Sequence, residues 1–288
     1  MDTILTDDGI ALDAQTALAL LEWQVEMGVD EAMLDAPLDR FDLPPRPPAA
    51  AAVPVDAAPA AVTTAESVAA AGVARAVEPD DAARLAAGVA EAVALAQGAD
   101  TLAALAAAQE AFDGIELKRG ARRFCFADGI PSARVMIIGE APGDEEDRQG
   151  RPFVGRAGRL LDAMFGAIGL SRDAPDAERG LYIANVLSWR PPGNRDPRPD
   201  EIAMSVPFLT RHVELAAPDL IVLMGNIPCL AILGRKGILR LRGTWVEVFG
   251  RPALPMTHPA YLLRTPAAKR EAWADLLSLQ ARLAAPVR

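Results

Sequence analysis

Aliphatic and amphipathic segments alternate along the second half of the chain. Short runs of β-branched and aliphatic residues that stop at a polar residue or a glycine predict buried strands. These runs span residues 134–138, 181–184, 220–224 and 253–256. Apolar residues at three- and four-residue spacing predict helices between and after the strands. The predicted helices span residues 155–168, 200–215, 227–233 and 266–283. Thr265 is the expected cap of the last helix, with Pro266 at its first position. Alternation of strand and helix predicts an α/β fold with a mostly parallel sheet.

The first 111 residues differ in composition from the rest of the chain. Residues 12–34 have the apolar spacing of an amphipathic helix. Residues 44–77 are almost entirely Ala, Pro and Val, which is typical of a disordered linker, and residues 79–111 return to a helical Ala/Leu-rich composition. The predicted division is an acidic helical segment at 1–43, a linker at 44–77, a helical lead-in at 78–111 and one functional domain at 112–288.

Charge is distributed unevenly along the chain, whose formal net charge is −10. Residues 1–114 contain 4 Lys and Arg against 20 Asp and Glu, a net charge of −16, whereas residues 115–288 contain 25 against 19, a net charge of +6. A basic domain suits a polyanionic partner such as nucleic acid. The acidic total is therefore a property of the arm and does not exclude a nucleic-acid substrate.

Compartment and metal content are also constrained by the sequence. The chain starts with MDTILTDDGI, which carries aspartates where a secretory signal carries basic residues, and it contains no long apolar stretch. We therefore expect a cytoplasmic protein without a membrane partner. The cysteines are Cys125 and Cys229, which form no C-x-x-C pair. Buried, inert thiols are expected here rather than a disulfide framework or a thiolate-rich metal site.

Polar side chains that could take part in catalysis or binding follow the predicted strands. Glu140 comes shortly after the first strand, Asn185 directly after the second, Gly225 and Asn226 after the third, and His258 after the fourth. Ligands of open α/β sheets bind beyond the carboxyl ends of the strands. The sequence therefore predicts that a carboxylate, an amide and an imidazole meet at one edge of the sheet.

Three longer blocks contain these residues. They read GEAPGDEEDRQGRPFVGRAGRLL from residue 139, NVLSWRPPGNRDP from residue 185 and HPAYLLRTPAAKREAW from residue 258. In this order they resemble the signature blocks of the family-four uracil-DNA glycosylases, and the resemblance runs from about residue 112 to residue 283. It implies a three-layer α/β/α sandwich around a four-stranded, mostly parallel sheet. It also implies hydrolysis of the bond between uracil and deoxyribose in DNA.

The resemblance also implies roles for individual residues. Glu140 would position the attacking water, and Gly139 and Ala141 would line the loop beside the base. Phe153 would stack on the extruded uracil, and Asn185 would hydrogen-bond its Watson–Crick edge. His258 would donate a hydrogen bond to uracil O2 as negative charge develops on the leaving base.

Further residues are candidates for contact with DNA, because the target nucleotide must leave the duplex before it can react. Leu262 and Leu263 beside Arg264 would suit an apolar wedge with a phosphate anchor, although Leu263 is equally well explained as a core residue. Arg195, in the stiff loop at 191–195, could face a phosphate. Gly225 and Asn226 at a helix start offer another anion site.

The chain departs from the family where its members hold a four-iron, four-sulfur cluster. The four cysteine positions read Phe112, Ile115, Trp189 and Ser205. A cluster requires thiolates, so we expect a branch without cluster or other cofactor, in which packing of apolar side chains replaces the metal.

Other chemically capable residues are expected to be structural. His212 lies inside a helical pattern and is expected to be a surface or packed residue. The charged run at 144–147 is expected to be a solvated loop, in which Glu146 and Asp147 could brace the active-site loop. Trp189 and Trp273 are expected to pack.

Alternatives remain at this stage. The chain could be a binding module of the same fold that turns over weakly and retains uracil or abasic DNA. A phosphate-loop nucleotide enzyme is weakly supported, because no G-x-x-x-x-G-K-[ST] motif is present. Gly143 places no aromatic wall on the pocket, so hypoxanthine and thymine analogues stay open as substrates. The expected partner is uracil-containing DNA, single- or double-stranded, bound by a monomer. The arm could bind a repair protein, or compete with DNA for the basic domain.

Overall fold

The computed structural model describes residues 4–5, 11–12 and 79–284. The chain divides into two units, residues 1–71 and 72–288. In the first unit, the short strands Ile4–Leu5 and Ala11–Leu12 pair antiparallel. Leu12 was predicted as the first residue of a helix and lies in a strand instead. The rest of that predicted helix and the predicted linker at 44–77 lie outside the described residues.

A six-stranded mixed sheet forms the centre of the second unit. Its strands are β1 (Ala127–Gly129), β2 (Val135–Gly139), β3 (Leu181–Asn185), β4 (Leu220–Met224), β5 (Val246–Val248) and β6 (Arg251–Met256). The strand order is β1-β3-β2-β4-β6-β5. Strands β3, β2, β4 and β6 run parallel, and they are the four that the hydrophobic runs predicted. The edge strands β1 and β5 are antiparallel to their neighbours. The expected four-stranded sheet is therefore the centre of a larger one.

Helices follow the strands as the α/β pattern requires. They are α1 (Pro79–Gln97), α2 (Leu102–Ala111), α3 (Asp144–Gln149), α4 (Arg156–Gly166), α5 (Pro199–Ala216), α6 (Asn226–Leu233), α7 (Ile238–Leu241), α8 (Pro259–Arg264) and α9 (Lys269–Ala284). Helices α4, α5, α6 and α9 correspond to the four predicted ones. A 3-10 turn at Pro266–Ala268 precedes α9. Thr265 stands at its N-cap position as predicted, but the threonine side chain makes no capping hydrogen bond.

Two cores lie on opposite faces of the sheet. Because side chains alternate along a strand, Val135 and Ile137 of β2 pack in one core, which also contains Phe165 of α4 and Leu279 of α9. The alternate side chains of β2 pack in the other core, together with side chains of α1, α2 and α5. The α/β fold predicted from the sequence is confirmed, with helices covering both faces.

The lead-in helices α1 and α2 belong to this same packed unit. Ala92 and Leu105 are fully buried in the core that they share with Phe208 of α5. Arg211 of α5 donates from Nε to the carbonyl of Ala99 at 3.0 Å, at the turn between α1 and α2. The change of composition near Asp113 therefore does not separate two hydrophobic cores.

Two further expectations change with the structure. The charged run at 144–147 begins helix α3 rather than forming a solvated loop, and Asp147 within it is 2% exposed. Trp273, which was expected to pack, is 44% exposed, whereas Trp189 is buried as expected. Among the described residues, no helix is long and apolar enough to cross a membrane.

Candidate active site

A cleft of about 620 Å³ lies at the carboxyl ends of the parallel strands. It is lined by Glu140 after β2, by Gly225 and Asn226 after β4 and by His258 after β6. Parallel strands place their carboxyl ends at one edge of the sheet, which is why residues more than a hundred positions apart meet here. The cleft brings together the carboxylate of Glu140 and the imidazole of His258, whereas Asn185 is not among its lining residues.

Glu140 stands on a loop that is tied to the neighbouring strand. The amide of Leu187 donates to the carbonyl of Glu140 at 3.0 Å, and the amide of Val186 donates to the carbonyl of Gly139 at 2.9 Å. Burial and, to a smaller extent, the charge of Asp196 raise the pKa of Glu140 to about 7, while the charge of Lys236 opposes them. Glu140 can therefore hold or release a proton near neutral pH.

Asn185 ends β3 opposite Gly139 of β2. Its side chain is buried, and no described residue donates to its Oδ1. A Cβ at position 139 would lie 2.4 Å from that Oδ1 and 2.4 Å from the ring of Phe153, so only glycine fits there. A buried acceptor without a partner is costly to a protein, and it is explained if a ligand supplies the donor.

Phe153 is buried beside this amide and faces His258, with 5.4 Å between the two ring centroids. Its backbone has a φ of 53°, in the left-handed region that a residue with a Cβ rarely adopts. The ring therefore forms an aromatic wall of the cleft between an amide and an imidazole, and its backbone must be held there by its neighbours.

His258 precedes helix α8, and its Nδ1 accepts a hydrogen bond from the amide of Ala260 at 3.1 Å. Burial and, to a smaller extent, the charge of Arg264 lower the pKa of His258 to about 4, while the charge of Glu146 opposes them. The imidazole is therefore neutral at physiological pH. Because Nδ1 is an acceptor, the proton resides on Nε2, which is a donor for a ligand.

The predicted DNA-contacting residues have different surroundings. Leu262 is 0% exposed and belongs to the packed interior, so its assignment to an apolar wedge is wrong. Leu263 is 37% exposed and keeps that assignment. Arg264 is exposed at the edge of the cleft, and none of the described residues forms an ion pair with it. Helical periodicity on α8 turns Leu262 inward and its neighbour outward.

Other predicted contacts already have partners inside the protein. Arg195 lines the cleft and forms a bidentate ion pair with buried Glu201, at 2.6 and 2.9 Å. The amide of Gly225 donates to the carbonyl of Met256, and Oδ1 of Asn226 accepts from the amides of residues 237 and 238. Contact of these three residues with phosphate stays a prediction.

The acidic helix α3 contributes a bracing residue that the sequence had suggested. Oε1 of Glu146 accepts from the amides of Val154 and Gly155 at 2.9 and 2.8 Å, and Oε2 accepts from the amide of Gly143 at 3.1 Å. Asp147 accepts from two amides of the segment at 122–123. Glu146 therefore joins the loop of Glu140 to the loop of Phe153.

Two charged residues of the cleft were missed. Asp196 and Lys236 both line it and act on Glu140 in opposite directions. Asp196 lies inside one of the three blocks, which was a usable signal. Lys236 lies in the turn between α6 and α7, and nothing in its local sequence distinguishes it from a surface lysine.

The remaining chemically capable residues are packed, as expected. His212 accepts or donates a 2.8 Å hydrogen bond with the hydroxyl of Tyr182 and stacks on Phe126, and burial lowers its pKa to about 3. Cys125 and Cys229 are buried free thiols, and burial raises their pKa values to about 12 and about 11. Thiols that remain protonated are poor nucleophiles and ligands.

The four positions expected to correspond to cluster ligands do not fit an iron–sulfur cluster. Phe112, Ile115 and Trp189 are buried in the hydrophobic core. The ring of Phe112 lies 5.4 Å from that of Phe208. Ser205 is 1% exposed, and no described residue bonds its hydroxyl. These side chains offer no thiolate, and the whole chain contains only two cysteines.

Comparison with known proteins agrees with this geometry. The family profile of the Uracil DNA glycosylase superfamily matches residues 126–277, more than half of the chain. A Type-4 uracil-DNA glycosylase of Thermotoga maritima is 40% identical over 140 residues, which cover 48% of this chain and 70% of the relative. A Type-4 uracil-DNA glycosylase of Archaeoglobus fulgidus is 38% identical over 156 residues, which cover 51% of this chain and 75% of the relative. The matched region contains the whole cleft, and the chain belongs to the uracil DNA glycosylase superfamily.

Proposed function

We propose that this chain is a uracil-DNA glycosylase, which hydrolyses the N-glycosidic bond of a flipped-out deoxyuridine and leaves free uracil and an abasic site. The observation that carries the proposal is a cleft with an aromatic wall, Phe153, and a neutral imidazole donor, His258. Beside that wall lies the buried amide oxygen of Asn185, for which the described residues supply no donor. The relatives named Type-4 uracil-DNA glycosylase support it.

Asn185 supplies the discrimination between bases. Its unpaired Oδ1 accepts from uracil N3–H, and its amide nitrogen donates to O4. Cytosine presents an acceptor at N3 and an amino donor at C4, so both hydrogen bonds would be lost. A buried group left without a partner costs about 1 to 3 kcal/mol, which favours uracil. Phe153 stacks on the base and excludes water from this pair.

His258 stabilises the leaving group. As the glycosidic bond breaks, the electron pair passes to uracil N1 and charge spreads to O2. The neutral imidazole donates from Nε2 to O2, so it stabilises this charge without a proton transfer. A pKa lowered to about 4 keeps the imidazole neutral throughout the physiological range. Uracil therefore departs as a stabilised anion.

Glu140 acts on the attacking water molecule. In its ionised form it orients a water molecule towards the sugar carbon and accepts its proton as the new C–O bond forms. Its pKa near 7 means that both forms are populated at neutral pH. The rate of the chemical step should therefore increase with pH across this value.

The contacts beyond the base follow from the surface of α8. Leu263 fills the space that the flipped nucleotide leaves, and Arg264 holds a phosphate beside it. Arg195, Gly225 and Asn226, which also line the cleft, contact further phosphates of the DNA. We propose that the protein acts as a monomer on DNA in the cytoplasm, and that the acidic arm binds a further repair protein.

We propose further that the enzyme works without an iron–sulfur cluster. The support is the chemistry of the four positions, three of which are apolar side chains packed in the core. Purified full-length protein should contain no iron by elemental analysis and should show no visible absorption band. Iron at four atoms per chain would refute this part of the proposal.

The test of the activity is uracil release from an oligonucleotide with a single deoxyuridine, with alkali revealing abasic sites. It is run first with enzyme in excess and then with substrate in excess, beside His258→Ala. Cleavage in both regimes, lost in the variant, supports a turning-over glycosylase. Cleavage only with enzyme in excess indicates a module that retains its product. Binding without cleavage in either regime overturns the proposal.

A further inference from the structure

Phe153 has a backbone conformation that its own chemistry disfavours. Its φ is 53°, and a non-glycine residue keeps this strained conformation only where its surroundings hold it there. The residues that impose this conformation also set the position of the aromatic wall of the cleft.

Arg172 is in direct contact with the backbone of this segment. Its Nη2 donates to the carbonyl of Phe153 at 2.9 Å, and its Nη1 donates to the carbonyl of Pro152 at 3.0 Å. The side chain of Arg172 is only 7% exposed. A buried guanidinium therefore donates hydrogen bonds to two successive carbonyls, and one of them is the carbonyl of Phe153 itself.

The guanidinium is in turn fixed by two carboxylates. Asp128 of β1 accepts from Nη1 at 2.8 Å, and one oxygen of Asp162 of α4 lies 2.9 Å from Nε and 2.8 Å from Nη2. Arginine has five N–H donors in a planar fork, and all three nitrogens are engaged here. Arg172 thus connects the edge strand, helix α4 and the Phe153 segment in one rigid arrangement.

The other side of the segment is held independently. Glu146 accepts from the two amides that follow Phe153, at 2.9 and 2.8 Å. Gly158 of α4 lies so close that a Cβ there would stand 1.8 Å from the carbonyl oxygen of Phe153. Three contacts therefore fix the backbone of Phe153. Arg172 donates to its carbonyl, Glu146 accepts from the two amides that follow it, and helix α4 packs against its carbonyl at Gly158.

We infer that Arg172 is a positioning residue of the active site, which holds Phe153 in its left-handed conformation so that the ring can stack on the extruded base. Arg172 does not line the cleft. Its effect on the reaction passes through the backbone of Phe153. The inference rests on the proposed uracil-DNA glycosylase activity.

Arg172→Lys is the variant that tests it. Lysine keeps the charge but presents its donors from one atom, which cannot serve two carbonyls and two carboxylates together. The matched control is Arg134→Lys. Arg134 also bridges two carboxylates, Asp219 at 2.7 Å and Glu178 at 2.9 Å, but it adjoins the amino end of β2, away from the cleft.

Four measurements are made on the full-length protein: the melting temperature, the single-turnover rate constant of uracil release, inhibition by free uracil and affinity for undamaged duplex DNA. Both variants should melt at lower temperature than the wild type. Arg172→Lys alone should lower the rate constant about 10- to 100-fold, the loss expected when a group near the reacting atoms is displaced. It should also weaken inhibition by free uracil. Affinity for undamaged duplex should stay unchanged.

A second experiment distinguishes a positioning role of Arg172 from a general loss of stability. In a Phe153→Leu background, Arg172→Lys should cause little further loss of rate, because both changes act on the same ring. Multiplicative losses would overturn the inference, as would a wild-type rate constant in Arg172→Lys with only a smaller active fraction. A wild-type protein that releases no uracil would instead overturn the proposed function.

Discussion

Replacing Glu140 by Gln should stabilise the protein at alkaline pH and remove part of the pH dependence of its free energy of unfolding. Burial of Glu140, with Asp196 nearby, raises its pKa from 4.5 to about 7 in the folded state. Between these two values the unfolded chain has released the proton while the folded chain retains it. The free energy of unfolding must therefore fall as the pH rises through this range, and the contribution is fully lost above the folded pKa.

The magnitude follows from the two pKa values. Each pKa unit corresponds to about 1.4 kcal/mol, so the ionised carboxylate costs the folded state on the order of 3 kcal/mol above about pH 7. Gln is close to Glu in shape and remains uncharged. The variant and the wild type should therefore have similar stability near pH 4.5 and diverge progressively towards pH 8.

Urea denaturation at a series of pH values measures this divergence directly. The same two proteins give single-turnover rate constants, in which the wild type should gain activity through about pH 7 and the variant should be slow at every pH. Parallel stability curves for the two proteins across pH 4.5 to 8 would refute the assignment of a raised pKa. A pH-independent rate in the wild type would refute the role of the ionised form as base.

Four further substitutions have effects whose direction follows from the geometry. His258→Ala should lower the single-turnover rate constant about 100- to 1000-fold, the usual cost of removing one donor to a developing charge, and a loss below 10-fold would contradict its role. Gly139→Ala should abolish uracil release while DNA binding persists, because its methyl group would stand 2.4 Å from Oδ1 of Asn185; full activity in the same assay would contradict the steric argument. Leu262→Ala should cost about 2–5 kcal/mol in urea denaturation. Leu263→Ala should leave stability nearly unchanged and reduce the rate on double-stranded DNA more than on single-stranded DNA, and equal losses on both substrates would exclude a wedge.

Hydrophobic patterns predicted the strands correctly where every residue of the strand is buried. The runs at 220–224 and 181–184 became β4 and most of β3, because a strand buried on both faces has an aliphatic side chain at almost every position. The edge strands β1 and β5 were missed, since each has three residues and the segments read ADG and VEV. Edge strands are stabilised by pairing with a neighbour distant in sequence, which leaves little local hydrophobic signal.

The outcomes at neighbouring residues of α8 show the same limit. Leu262 and Leu263 are identical in type and adjacent, so composition could not separate the core residue from the exposed one. The phase of a six-residue helix decided it, by directing one side chain into the interior and the other to solvent. Helix α3 was taken for a loop for a related reason, because its acidic residues serve as acceptors for backbone amides rather than as a solvated surface.

The amino-acid pattern was sufficient to select candidate residues for the chemistry and to place them at strand ends. Glu140 and His258 follow strands and Asn185 is the last residue of one, and a parallel sheet brings such positions to one edge. Their protonation and hydrogen-bonding states depend on the folded environment. The raised pKa of Glu140, the neutral imidazole of His258 and the unpaired oxygen of Asn185 all arise from burial and from partners distant in sequence. The hydrogen bond from Arg172 to the carbonyl of Phe153 also joins residues that meet only in the folded chain. Protonation and backbone conformation depend on solvent exclusion and on contacts that exist only once the chain has folded.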